Sequence, residues 1–187
     1  MRKLVVTENI SVDGVIDAAG DWFTPAGADS DVDQSDLEAT VGEHMDGADG
    51  VLFGRVTFEQ MRSYWPRQTD DTTGVSDYLN RVTKYVASST LEEPGWAHTQ
   101  VLRGALGDEI ATLKAGAGKA IVATGSVRLM PDLVATGLVD EYRLFVYPVV
   151  LGRGARLFAE ATSVGRLRLV ENRAFRSGVV LSRYVPA

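Results

Sequence analysis

The sequence predicts an α/β protein with a mixed, mainly parallel sheet and flanking helices. Two observations predict it. Between residues 50 and 135, short apolar segments alternate with segments of helical period, the pattern of βαβ units. After residue 139 the helical period disappears, and strand-like segments follow one another across a turn, which adds antiparallel strands. A chain of 187 residues, with 45% hydrophobic and 24% charged side chains, suits a single domain over residues 1–187.

Lys3–Ile10 is rich in β-branched residues and reads as the first strand, which Val12–Ile16 continues around the turn-forming pair Asp13-Gly14. Residues 17–34, rich in Gly, Asp, Ala and Pro, read as a long loop. Ser35-Asp36-Leu37-Glu38 has the spacing of a capping box with Ser35 as N-cap. Leu37, Val41 and Met45 then share one face of a helix to about Asp46. Gly50–Phe53 reads as a buried strand and Arg55–Arg62 as a helix. Thr72-Thr73-Gly74 opens a helix to about Val82, and Lys84–Ala87 and Thr99–Leu102 read as strands. Leu106–Lys114 is helical, with Leu106, Ile110 and Leu113 on one face. Lys119–Ala123 is a strand, and Ser126–Ala135 a helix closed by Gly137 as its C′ residue. Glu141–Val150 is a strand, and Leu167–Phe175 and Val179–Val185 flank a hairpin turn at Arg176-Ser177-Gly178.

Composition excludes several chemistries. With no cysteine there is no disulfide, thiolate zinc site or cysteine nucleophile. The net charge of −6 is uneven: residues 4–54 hold 12 acidic residues and neither Lys nor Arg. Residues 55–187 hold 17 basic and 13 acidic residues, so the later part of the chain can receive an anion. Its basic residues are scattered and not interleaved with aromatics, which argues against nucleic-acid binding. Asp29-Ser30-Asp31-Val32-Asp33 lacks the Gly and Glu of a calcium loop, having Gln34 and Thr40 there instead. His44 and His98 share no ligand spacing, so no metal site is expected. No apolar run is long enough to span a membrane, and the run after Met1-Arg2-Lys3 is too short for a signal peptide. A cytoplasmic protein is expected.

Three strand ends carry similar chemistry. Phe53 is followed by Gly54-Arg55-Val56-Thr57, Ala87 by Ser88-Ser89-Thr90, and Ala123 by Thr124-Gly125-Ser126. In open α/β sheets ligands bind outside the C-terminal ends of the strands, and a helix N-terminus there suits a phosphate. Glycine allows close backbone approach, hydroxyls and a guanidinium donate, and together the three turns read as a site for a phosphorylated ligand. Taken singly, each turn is also an ordinary cap. None is a Walker A loop or a Gly-x-Gly-x-x-Gly fingerprint. Trp22, Phe23, Tyr64, Trp65 and Trp96 lie in loops or at helix ends, where aromatics pack under loops or wall a planar ligand.

Gly54-Arg55-x-Thr57-x-Glu59 with Tyr64-Trp65-Pro66 resembles the dihydrofolate reductase superfamily. Closest is the branch related to the reductase domain of the bifunctional riboflavin-biosynthesis deaminase/reductase. Thr7 to Gly14, Lys84 to Thr90, Gly125-Ser126, Gly137 to Glu141, and Tyr147 to Phe158 carry the same resemblance, in order, over nearly the whole chain. The resemblance implies a three-layer fold with a sheet of about eight strands, and NADPH as cofactor. It places Gly54, Arg55 and Thr57 at the cofactor phosphates and Ser88 and Ser89 at the adenosine 2′-phosphate. Thr124, Gly125, Ser126 and Val127 would face the pyrophosphate and nicotinamide ribose. Homodimers are common among such proteins, so a homodimer is expected.

Dihydrofolate reductases proper carry a pterin-binding carboxylate on their first helix. Here Asp31 and Asp36 are candidates, and Asp13 at the end of the first strand is another. Asp13 and Asp31 are taken as the candidate catalytic acids, with Asp13 and Trp22 beside the substrate. The expected activity is hydride transfer from NADPH to a small heterocycle or imine, pterin- or aminopyrimidine-like. The family's example is 5-amino-6-(5-phosphoribosylamino)uracil reductase. The alternative is a non-catalytic nucleotide-binding or sensor protein on the same fold.

Overall fold

The computed structural model describes residues 1–18, 22–23, 32–158 and 164–187. Asp31, one of the two candidate acids, lies outside them.

The chain runs β1 (Leu4–Ser11), α1 (Ser35–Asp46), β2 (Ala48–Gly54), α2 (Arg55–Tyr64), a short 3-10 turn (Trp65–Arg67), α3 (Val75–Arg81) and β3 (Thr83–Ala87). It continues through β4 (Thr99–Leu102), α4 (Leu106–Ala115), β5 (Ala120–Ala123), α5 (Leu129–Ala135), β6 (Glu141–Tyr147), β7 (Leu167–Ala174) and β8 (Val180–Pro186). All eight strands join one sheet in the order β4-β3-β2-β5-β1-β6-β8-β7. The pairs from β4 to β6 are parallel, while β6–β8 and β7–β8 are antiparallel. This is the mixed, mainly parallel sheet expected.

Alternation along the strands builds the three layers. Leu4, Val6, Leu52 and Ile121 face α4 and α5, packing on Ile110, Met130 and Leu133. Val51 and Phe53 face the other way, onto Phe58 of α2 and Tyr78 and Leu79 of α3. Leu37 of α1 covers Phe145 of β6 and Leu181 of β8. Phe58 is fully buried; truncating such a ring to alanine costs about 3–5 kcal/mol.

Four expectations change. Val12–Ile16 does not extend the first strand: Gly14, at φ +86°, turns the chain, and its N–H donates to the Ser11 carbonyl at 2.9 Å. Val15 instead makes a lone antiparallel bridge to Arg156. The capping box does not form either. Gln34 is the N-cap, and the Asp33 carboxylate takes the Ser35 N–H at 3.0 Å and hydroxyl at 2.7 Å. The strand from Glu141 stops at Tyr147, before Pro148, which has no N–H to continue the ladder. Finally, α5 begins at Leu129, not Ser126, although the Ser126 carbonyl accepts the Met130 N–H at 2.9 Å.

Candidate active site

The C-terminal ends of β4, β3, β2 and β5 stand side by side, and a cleft of about 870 Å³ opens outside them. Gly54, Arg55, Thr57, Ser88, Ser89, Gly125, Ser126 and Val127 all line it. The parallel order β3-β2-β5 brings together the three strand ends that the sequence reading grouped.

Two hydrogen bonds lock the central turns together. The Gly54 N–H donates to the Ser126 hydroxyl at 2.8 Å, and the Thr57 hydroxyl donates to the Gly125 carbonyl at 3.0 Å. Both hydroxyl side chains are buried, so they set the shape of the cleft more than they present donors to it. What faces outward is backbone: the start of α2, whose first N–H groups have no intrahelical partner. Gly125 sits at φ +68°, where a side chain would be strained, and an added Cβ would lie 3.4 Å from the Thr57 methyl.

Arg55 is exposed and, among the described residues, pairs with Glu59, one turn on, at 3.0 Å. Ser88 caps its own turn, its hydroxyl accepting the N–H groups of Thr90 and Leu91 at 3.2 and 3.0 Å. Ser89 offers its carbonyl to Arg103 at 3.2 Å. Arg103, together with Arg128, also lines the cleft, and sequence reading missed both. The signal for Arg103 was a fourth strand end, Leu102-Arg103-Gly104, of the same kind as the other three.

Glu8 was missed as well. It is almost fully buried in β1 and accepts the Gly125 N–H at 2.8 Å. Burial pushes its carboxyl up to about 8, against the pull of that hydrogen bond. A buried carboxyl therefore braces the same glycine turn from behind.

Thr124 faces away from the cleft. It lines a second, smaller cavity of about 280 Å³ on the α1 side of the sheet. Thr7, Asn9, Phe53, Phe145 and Tyr147 form its floor, and Val41, His44 and Met45 of α1 lie over it. The two cavities meet at consecutive residues: Phe53 lines one and Gly54 the other, and Thr124 lines one and Gly125 the other.

Trp22 stands at the edge of this second cavity. Its indole N–H donates to the Asp17 carbonyl at 2.8 Å, and its ring meets Tyr147 edge-on at 5.6 Å and Phe23 at 4.8 Å. Asp13 lines neither cavity. Its carboxylate takes the Ser11 hydroxyl at 2.7 Å and the N–H groups of Leu151 and Gly152 at 3.1 and 2.8 Å. Those bonds, Ser11 first, bring it down to about 2, so it is ionised at neutral pH and clamps the loop after β6. Asp36 accepts the N–H of Arg176 at 3.1 Å, outside both cavities. Among the described residues no group of His, Asp and Glu is placed to hold a metal ion, and no helix is long and apolar enough to cross a membrane.

The profile of the RibD C-terminal domain family matches residues 2–181. The chain belongs to the RibD C-terminal domain family. Two relatives agree over most of their length: the uncharacterized proteins YyaP and YwjB of Bacillus subtilis (strain 168). YyaP is 30% identical over 96% of this chain and 92% of its own. YwjB is 31% identical over 100% and 99%. Solved structures share the fold. A riboflavin-biosynthesis-like protein of Shewanella sp. PV-4 has a TM-score of 0.70 at 21% identity, covering 99% of both chains. A pyrimidine reductase-like protein of Corynebacterium diphtheriae has 0.65 at 17%, covering 100% of this chain and 92% of its own. The deaminase/5-amino-6-(5-phosphoribosylamino)uracil reductase of Thermotoga maritima has 0.65 at 16%, covering 100% of this chain but 57% of its own. The RibD C-terminal family is of riboflavin-pathway reductase type and uses a nicotinamide cofactor.

Proposed function

We propose that this chain is an NADPH-dependent reductase. The dinucleotide occupies the large cleft, and the substrate, a small heterocycle or imine, occupies the aromatic cavity beside it. The observation that carries the reading is the junction at Phe53–Gly54 and Thr124–Gly125, where consecutive residues line the two cavities.

The cleft's chemistry fits a dinucleotide. Its volume of about 870 Å³ is near the upper end of small-molecule sites. The N-terminus of α2 offers backbone N–H groups to a pyrophosphate, with Arg55 and Arg128 on either side. Arg103 donates to the Ser89 and Leu91 carbonyls at 3.2 and 2.6 Å, and its remaining N–H groups would meet a further phosphate, which on this reading selects NADPH over NADH. Gly125 lets a ribose approach without a side chain in the way. A reduced nicotinamide held there by Gly54, Arg55 and the Gly125 turn would supply the hydride.

The chain's own part is positioning and drying. Glu8, Ser126 and Thr57 fix the glycine turn against which the ring lies. Phe53, Phe145 and Tyr147 keep water from the substrate face. Asp13, ionised and bonded into its loop, does not supply the proton; solvent at the mouth does.

Turnover tests this. Reduced cofactor is incubated with the protein and a panel of pterins, aminopyrimidines and cyclic imines, and its absorbance is followed. NADPH is expected to be consumed with at least one of them, and NADH more slowly. Tight NADPH binding with no consumption across the panel would replace the reductase with the non-catalytic nucleotide sensor.

A further inference from the structure

The second cavity carries chemistry that the family assignment does not supply. Among the described residues, no Lys, Arg, Asp or Glu lines it. Its polar groups are neutral: the hydroxyls of Thr7 and Thr124, the Asn9 amide, the phenols of Tyr78 and Tyr147, and His44. Burial holds both phenols up and, with Arg143 and Arg183 beyond it, brings the His44 imidazole down to about 4. At neutral pH the lining is therefore uncharged.

Those two arginines are the nearest candidates for binding an anion, and both are engaged. Arg143 and Arg183 each hold the buried Glu141 carboxylate, at 2.8 and 2.9 Å, and Arg183 also holds Glu171. A phosphate pushed into the cavity would lose its water and find no cation to replace it, a loss of several kcal/mol.

Of the two buried side-chain oxygens without a partner among the described residues, one lines this cavity. The Thr7 hydroxyl oxygen is buried and makes no hydrogen bond. Buried hydroxyls are nearly always satisfied. This one stands on the cavity floor next to Asn9, two residues along the same strand face. A ligand with one hydrogen-bonding edge would satisfy it. Around that edge the walls are flat and apolar: Phe23, Phe53, Phe145 and Trp65. The volume of about 280 Å³ lies at the lower end of small-molecule sites and suits one fused ring system.

We infer that this chain selects an uncharged, unphosphorylated planar ring with a single hydrogen-bonding edge turned toward Thr7 and Asn9. The inference rests on the reductase reading for the role of the cavity and narrows its substrate. It departs from the phosphoribosyl substrate named for the Thermotoga maritima protein.

A matched pair of probes tests it: 1-naphthol, and 1-naphthyl phosphate, which adds only the charged group. Binding of each is measured by calorimetry on the whole chain, with and without NADP⁺, and binding of NADP⁺ is measured alongside. Naphthol is expected to bind at least about tenfold more tightly than its phosphate, since removing an unpaired dianion from water costs well over the 1.4 kcal/mol of a tenfold change. A phosphate bound as tightly as naphthol, or tighter, overturns the inference. So does failure of both probes on a protein that binds NADP⁺, which leaves the cofactor half of the reductase reading standing. Selective naphthol binding on a protein that ignores NADP⁺ upholds the cavity's selectivity and removes the reductase. Val41→Lys adds a cation above the cavity and should reverse the preference; if that variant fails to fold, the wild-type pair still decides.

Discussion

The Ser126 hydroxyl accepts the Gly54 N–H at 2.8 Å across 72 residues of sequence, tying the end of β2 to the turn after β5. The Ser126 carbonyl also accepts the Met130 N–H at 2.9 Å, so the same residue joins the turn to the start of α5. The bond to Gly54 fixes the spacing of the two glycine turns that a dinucleotide would straddle.

Ser126→Ala leaves the Gly54 N–H buried without a partner. Stability should fall by about 1–2 kcal/mol, and NADPH affinity should fall with it as the turns separate. Denaturant unfolding and cofactor titration of the same variant check both.

The two arginines should separate by cofactor. Arg103→Ala is expected to weaken NADPH by about tenfold or more over NADH, because a charge-assisted bond to phosphate contributes about 1.5–3 kcal/mol. Arg55→Ala, near the start of α2, should weaken both cofactors alike. Its exposed pair with Glu59 is weak, so thermal stability should move by less than about 0.5 kcal/mol. Parallel NADPH and NADH titrations distinguish the two roles.

Glu8 should make stability depend on pH in an unusual direction. Its folded carboxyl titrates at about 8, against an ordinary value of 4.5. Between those values the native state keeps a proton that the unfolded state has lost, so this contribution is full below 4.5 and declines as pH rises toward 8. Glu8→Gln keeps an oxygen for the Gly125 N–H and removes the titration. Its unfolding free energy should be flatter than wild type across that window and higher at the alkaline end. A variant that follows the wild-type curve would show that Glu8 is not the titrating group.

Asp13→Asn tests clamp against catalyst. Asparagine loses the charge that Leu151, Gly152 and Arg156 converge on. The melting temperature should drop, while NADPH affinity and the pH profile of turnover should stay as in wild type. A shifted pH profile would restore Asp13 to the chemistry.

Thr7→Val removes the unpaired hydroxyl. Stability should rise, because a buried polar group without a partner costs about 1–3 kcal/mol. Affinity for a ring substrate should fall. Opposite movements in melting temperature and ligand binding are the signature of a group held for a ligand.

What was legible in the sequence follows range. Short apolar runs such as Gly50–Phe53 and Lys119–Ala123 mark strands because burial on both faces demands them, and turn glycines after them mark the strand ends. Partners far along the chain were not legible. Nor was competition between near neighbours: Ser35 had the spacing of a cap, but Asp33, two residues earlier, takes its N–H. Nothing in the sequence set Glu8 apart, and only the parallel pairing of β1 with β5 brings it to Gly125. Thr124 was grouped with its neighbours Gly125 and Ser126, yet strand alternation sends it to the opposite face, into the second cavity. Asp13 stood at the right strand end for a catalyst, but the loop at 151–156 returns and covers it.

The central claim is that a phosphorylated nicotinamide dinucleotide fills the cleft outside β4, β3, β2 and β5. Titrating the purified chain with NADPH and NADH, followed by nicotinamide fluorescence, addresses it most directly. Saturable binding is predicted for NADPH and markedly weaker binding for NADH. A protein that changes the fluorescence of neither would contradict the account at its base.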